Sequence, residues 1–207
     1  MQDGGTTRTH LTAIAAMLAA MAIGGGCATV RTTDPQRTAT EQFLMTEAAA
    51  RAIERLSASS LRDQLVFVDA AYLSGYEQQF ILGELRAKLL TSGVRLTSRR
   101  EDARIIVEVR SGGVGIDRYD YLLGIPSFVM PTSVVIGGTP LITPEVAIVK
   151  NQKQRGYASI AFVAYWAATG ELVDSVGPSV GRTNREDYWF LGTGPRTVGN
   201  IPPAERP

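Results

Sequence analysis

The chain has 207 residues, 44% of them hydrophobic and 20% charged, with 21 Lys and Arg against 20 Asp and Glu. That length suits one domain of ordinary size, and a net charge of +1 without a Lys/Arg stripe gives no electrostatic footprint for nucleic acid. The single histidine, His10, and the single cysteine, Cys27, exclude Ser-His-Asp and Cys-His catalysis, zinc sites built on His or Cys, and internal disulfides from everything after Cys27.

The N-terminus reads as an address. Arg8 precedes residues 11–23, which carry no charge. They are long enough for a signal h-region and shorter than the roughly 20 apolar residues that span a bilayer. Gly24-Gly25-Gly26-Cys27 follows and resembles a bacterial lipobox, with Gly24 where that pattern usually has Leu and Ile23 one place further back. The resemblance implies a signal peptide over 1–26 that is removed, and a Cys27 that carries palmitate-type chains as a lipid anchor. Several chains on one residue hold firmly, since each buried methylene contributes about 0.8 kcal/mol. An ordinary cleaved signal peptide with a free thiol is the alternative. Ala28 resembles residues that permit outer-membrane sorting, which implies an outer-membrane anchor with the domain facing the periplasm. Residues 27–37, with Pro35, read as the lipidated cysteine and a short linker.

A domain is expected over 38–191. Thr38-x-x-Glu41 fits a capping box, with Thr40 an equal alternative, and a helix is expected over 41–57. Its face carries Met45, Ala48, Ala49, Ala52, Ile53 and Leu56. Residues 65–68, Leu-Val-Phe-Val, are a continuous apolar run suited to a strand covered on both sides. A second helix is expected over 75–91, with Ile81, Leu82, Leu85 and Leu89 inside and Gly93 ending it in the left-handed conformation. Residues 94–96 make a brief strand and 103–110 a firmer one, where Ile105, Val107 and Val109 alternate with charged residues. The clearest hairpin alternates Ile160, Phe162, Ala164 and Trp166, turns at Ala168-Thr169-Gly170, and returns over 171–176. Residues 192–207 carry several Gly and Pro and read as a flexible tail. The sum is an α+β fold, a mixed sheet with two main helices on one face, after a cleaved lipoprotein signal peptide.

A strand near Phe67, a helix closing on Leu89, Leu90 and Gly93, and a strand leading towards Arg99 and Arg100 give an order that resembles the curli-channel lipoprotein family. Lipoprotein activators of peptidoglycan synthases and the N-terminal domain of TolB are similar. Asp102-Ala103 stands in reversed order to the Ala-Asp of those families. Ala167-Ala168-Thr169-Gly170-Glu171 keeps their Thr-Gly-Glu without the preceding Asp. The chain also resembles small bacterial lipoproteins that carry no function across. The resemblance to the curli channel implies an oligomeric secretion-channel subunit, as an analogy of fold.

Residues 112–144 form a Gly/Pro-rich insertion, and from 121 to 144 it carries no charge. Its apolar residues include Tyr121, Leu122, Leu123, Phe128, Val129 and Met130, the candidates for contact with a partner. Pro126, Pro131 and Pro140 exclude a transmembrane helix. Three readings stay open: a loop folded over the domain's own sheet, a surface for a protein partner or self-association, and a membrane-inserted β-hairpin, for which the alternation within 121–130 and 133–142 is poor.

The remaining signals are weaker. Asp117 and Asp120, like Glu186 and Asp187, have the composition of a glycosidase acid pair but read as solvated loop ends. Tyr188 and Trp189 read as packing rather than a sugar platform. Gly112-Gly113-Val114-Gly115 lacks dinucleotide-binding spacing. Arg99-Arg100-Glu101-Asp102 reads as a charged turn, and residues 150–155, KNQKQR, as a solvated connection. No catalytic set, metal or cofactor is expected. The function expected is a membrane-tethered periplasmic binding or scaffolding module in envelope assembly.

Overall fold

A computed structural model describes residues 37–75, 77–129, 135–136, 139–140 and 143–201. The expected signal peptide, Cys27 and Met130 lie outside the described residues. Among these are α1 (Ala39–Glu54), β1 (Leu65–Tyr72), α2 (Gln78–Thr91), β2 (Arg95–Leu96), β3 (Ile105–Ile125), the short pair β4 (Val135–Ile136) and β5 (Thr139–Pro140), β6 (Val146–Trp166), β7 (Leu172–Phe190) and β8 (Thr193–Gly199). Six strands form one mixed sheet in the order β2-β1-β3-β6-β7-β8. β1 runs parallel to both β2 and β3, and the later pairings are antiparallel. The fold is α+β, with a mixed sheet and two helices.

Local chemistry fixes both helices. The Thr38 hydroxyl accepts from the Glu41 amide, and Glu41 Oε2 accepts from the Thr38 amide at 2.9 Å, which completes the capping box. α2 ends in a Schellman arrangement: Gly93 sits at φ +87°, its amide donates to Leu90, and the Val94 amide donates to Leu89. The helices share one buried cluster with the sheet. Ala48, Ala52 and Ile53 from α1 and Ile81, Leu85 and Leu89 from α2 meet Val66, Ile105, Val107, Ile160 and Phe162.

α1 lies unusually close to the strands beneath it. An added Cβ at Gly181 would collide with the Ala48 carbonyl oxygen, and one at Gly156 with Thr183 Oγ1 and the Leu44 carbonyl. Small residues on both partners, Ala48, Ala49 and Ala52 above and the two glycines below, permit this approach. Thr183 is buried and donates to the Leu44 carbonyl at 2.7 Å. Arg51 donates to the Arg182 and Asn200 carbonyls, and Arg55 to that of Val180, so α1 satisfies part of the β7 edge before β8 begins to pair at Arg185.

Several elements differ from the sequence reading. β1 is covered on one face by the helices through Val66 and Val68, whereas Phe67 on the other face lies beneath Arg100 at 5.9 Å. Arg100 is therefore more than a turn residue: it pairs with Asp69 and donates to the Tyr165 hydroxyl. Residues 112–125 continue β3 instead of leaving the sheet, with a register shift between Ser111 and Gly113. Residues 150–155 are the middle of β6, not a connection. Residues 193–199, read as tail, form the edge strand β8, and Ile201 beyond them is buried.

Candidate functional site

β3 and β6 are 21 residues each and stay paired from Ile105–Trp166 to Ile125–Val146. α1 covers only part of that length. Its first turn reaches the sheet where Glu41 pairs with Arg118 at 2.8 Å and Arg185 Nη1 donates to Thr40 Oγ1. From Arg118 to Ile125 the ladder runs on for roughly 24 Å at about 3.4 Å per residue. This projecting end of the sheet is the candidate site.

The register aligns side chains from three strands into rows. On the face away from the helices the successive rows are Tyr119, Lys153 and Glu186, then Tyr121, Asn151 and Tyr188, then Leu123, Val149 and Phe190. On the helix-bearing face they are Arg118, Gln154 and Arg185, then Asp120, Gln152 and Asp187, then Leu122, Lys150 and Trp189. On the face away from the helices the rows therefore change from charged near the domain to apolar at the end, whereas the last row of the helix-bearing face still holds Lys150, paired with Glu145. Tyr121 is 61% exposed and Phe190 63%, and Leu123, Ile125, Phe128, Val129, Val146 and Leu191 are exposed with them.

Hydrogen bonds and ion pairs hold the base of this projection. Lys153 pairs with Glu186, whose other carboxylate oxygen accepts from the Tyr188 hydroxyl. The Lys153 ammonium, with the Tyr188 hydroxyl second, holds the Glu186 carboxyl below its ordinary range, and Glu186 in turn raises the Tyr188 phenol. Across the sheet, Arg185 pairs with Asp187, which also accepts from Thr197. Nearer the end, Lys150 bonds Glu145 at 2.8 Å and lies 5.9 Å from the Trp189 ring. The apolar residues themselves sit on bonded backbone. Phe128 and Thr143 exchange bonds through the Phe128 amide and the Thr143 hydroxyl, and the Leu191 amide donates to Ile148. A shallow cavity of about 510 Å³ opens beside Val149, Tyr188, Trp189, Phe190 and Leu191.

The structure brings Tyr121, Leu122 and Leu123 together on β3, with Phe128 and Val129 just beyond it. The five are not one flat patch, because Leu122 points to the face opposite its neighbours. The acid pairs are separated in the same way. Asp117 and Asp120 are three apart on one strand and point to opposite faces, as do the adjacent Glu186 and Asp187. Trp189 and Tyr188 are likewise on opposite faces. Sequence reasoning missed Val149, Phe190 and Leu191 because it reads the middle of β6, residues 150–155, as a connection and ends the strand returning from the hairpin at 176, so neither strand is followed out to this end of the sheet.

Among the described residues no group of three or more His, Cys, Asp and Glu is placed to hold a metal. Among them, too, no helix is long and apolar enough to cross a membrane.

Residues 22–204 match a family of unknown function (DUF6655), and the chain belongs to that family. No curated protein matches it.

Proposed function

We propose that this chain is an exported lipoprotein, held in the outer membrane by acyl chains on Cys27, whose periplasmic domain acts by binding or scaffolding in envelope assembly and not by catalysis. The observation that carries the reading is the projecting end of the sheet. It displays exposed apolar side chains, Tyr121, Leu123, Phe128 and Val129 among them, that the buried cluster beneath the helices does not use. Exposed apolar surface of this extent marks a contact site. A tether raises the effective concentration of that site towards anything else in the same envelope. The test is a photo-crosslinking side chain at Leu123 in cells, with Leu172, 65% exposed at the opposite end of β7, as the control. Adducts from Leu123 and none from Leu172 are expected; a Leu123 probe that forms no adduct contradicts the reading.

A second reading, the oligomeric secretion-channel subunit related to the curli channel, is favoured by one observation. Beyond Arg110, where pairing with β1 stops, β3 has no strand on that side among the described residues. An unpaired strand edge accepts another chain. Native mass in mild detergent, measured by light scattering, separates the readings: a closed ring of many copies supports the channel, and a monomer or dimer removes it.

A further inference from the structure

We infer that the free edge of β3 pairs with the same edge of a second copy, antiparallel about a two-fold axis at Tyr119, joining two sheets into one. This rests on the reading of the projecting end as a contact site and names its partner; it does not depend on a lipid at Cys27. The argument begins with the edges of the sheet. β2 closes one side with two residues, and β8 closes the other with seven, among them Pro195, which has no amide to donate. β3 is paired with β1 only as far as Arg110. From Gly113 to Ile125 it keeps β6 on one side and has no strand on the other among the described residues. That edge is roughly 41 Å long at about 3.4 Å per residue, and it contains no proline. A row of unpaired amides and carbonyls of such length is a template for another strand.

The residues of the edge select a second copy and one register. Tyr119 is the midpoint of residues 113–125, so an antiparallel copy centred there sets Gly113 against Ile125 and uses both edges end to end. About that axis Arg118 of each copy faces Asp120 of the other, twice, on the helix-bearing face. Neighbouring registers oppose like charges, which is unfavourable in directly facing pairs. An axis on Arg118 sets that residue against itself, and it also brings Ile125 to Ser111, which already bonds Ser74. An axis between Arg118 and Tyr119 opposes Asp117 and Asp120, and one on Asp120 opposes it to its own copy. Within one chain the Asp120 carboxylate makes no hydrogen bond or ion pair among the described residues. Arg118 uses Nη2 on Glu41, and its guanidinium has further donors.

Size is complementary in the same register. Leu122 falls opposite Ile116 on the helix-bearing face. On the other face Leu123, 51% exposed, falls opposite Gly115, where an added Cβ would meet nothing within 4 Å. Tyr119 meets its equivalent as a cross-strand aromatic pair. The contact therefore takes up Tyr119, Tyr121 and Leu123, which the domain's own core leaves exposed. An isologous contact of this kind closes at two copies. β3 laid on β8 instead would leave nearly half of the β3 edge open, because β8 has only seven residues.

The experiment uses the full chain carrying Cys27→Ser, which has no other cysteine, in mild detergent. Light scattering is expected to give the mass of two chains. With a single cysteine at Tyr119 (Y119C), a short thiol-to-thiol crosslinker should join two copies, since the axis brings each thiol to its equivalent. A cysteine at Leu172 (L172C), at the opposite end of β7, should not be joined. Asp120→Arg opposes cations across both pairs and should raise the dimer dissociation constant by roughly tenfold or more, with the urea midpoint of the monomer unchanged. A monomer at every concentration overturns the inference, and the contact-site reading then stands or falls on adducts of Leu123 with other proteins. A ring of many copies overturns it in favour of head-to-tail pairing. A dimer that Y119C does not join, or that Asp120→Arg leaves intact, overturns it as well, since the copies then meet elsewhere.

Discussion

Gly181 on β7 lies directly beneath the Ala48 carbonyl of α1, so close that a methyl group there would also stand 2.8 Å from the Ala52 amide. The helix can settle onto the sheet only because that residue has no Cβ. Gly181→Ala should therefore destabilise the domain by about 1–3 kcal/mol through overpacking. Gly83 is the control. It lies in the middle of α2 with nothing near its would-be Cβ, and Gly83→Ala should stabilise by roughly 0.5–1 kcal/mol through helix propensity. Urea denaturation of the two variants checks both signs.

The hydroxyl of Thr183 joins the same seam from below, donating to the Leu44 carbonyl at 2.7 Å from a fully buried position. Thr183→Val keeps the shape and removes the donor. The loss should be about 1 kcal/mol, the usual net value of one hydrogen bond. A urea midpoint unchanged from wild type would show that the bond contributes nothing.

Asp69 supplies a pH dependence. The Ala71 amide first, and the Arg100 guanidinium second, hold its carboxyl below the ordinary range, against the opposing effect of burial. A carboxyl depressed in the folded state adds stability that is present above its unfolded value and is lost as pH falls through the folded one. Wild type should thus lose stability below about pH 4, and Asp69→Asn should lose less over the same interval. Urea midpoints at neutral and acid pH for the two proteins test this.

The apolar end of the sheet should contribute little to folding. Phe190 is 63% exposed and stands outside the buried cluster, so Phe190→Ser is expected to change stability by no more than about 0.5 kcal/mol. A loss of several times that would mean the tip is core, and would remove it as a contact surface.

The sequence made the helical half of this fold legible and hid the long ladder, for a physical reason. Thr38 with Glu41, and Gly93 after Leu89 and Leu90, are local signals whose hydrogen bonds form within a few residues, so they read correctly without tertiary context. The strand signal fails where a sheet faces water on both sides. Residues 150–155 alternate polar with polar, because Lys153 meets Glu186 on one face while Gln154 meets Arg185 on the other. Only the register, which is long-range, shows that these residues are a strand. The tail was misread in the same way: Thr193 to Gly199 has few apolar residues because an edge strand at an exposed end has no core to face. The uncharged character of residues 121–144 was visible in the sequence, but the partners of Leu123 in its row, Val149 and Phe190, were not.

Labelled palmitate shows whether a lipid on Cys27 holds this domain at a membrane. Cells making the wild-type chain and Cys27→Ala are fed the label, then separated into membrane and soluble fractions. Label on the wild-type protein in the membrane fraction, and an unlabelled Cys27→Ala chain, are expected. A wild-type protein that takes up no label would contradict the account.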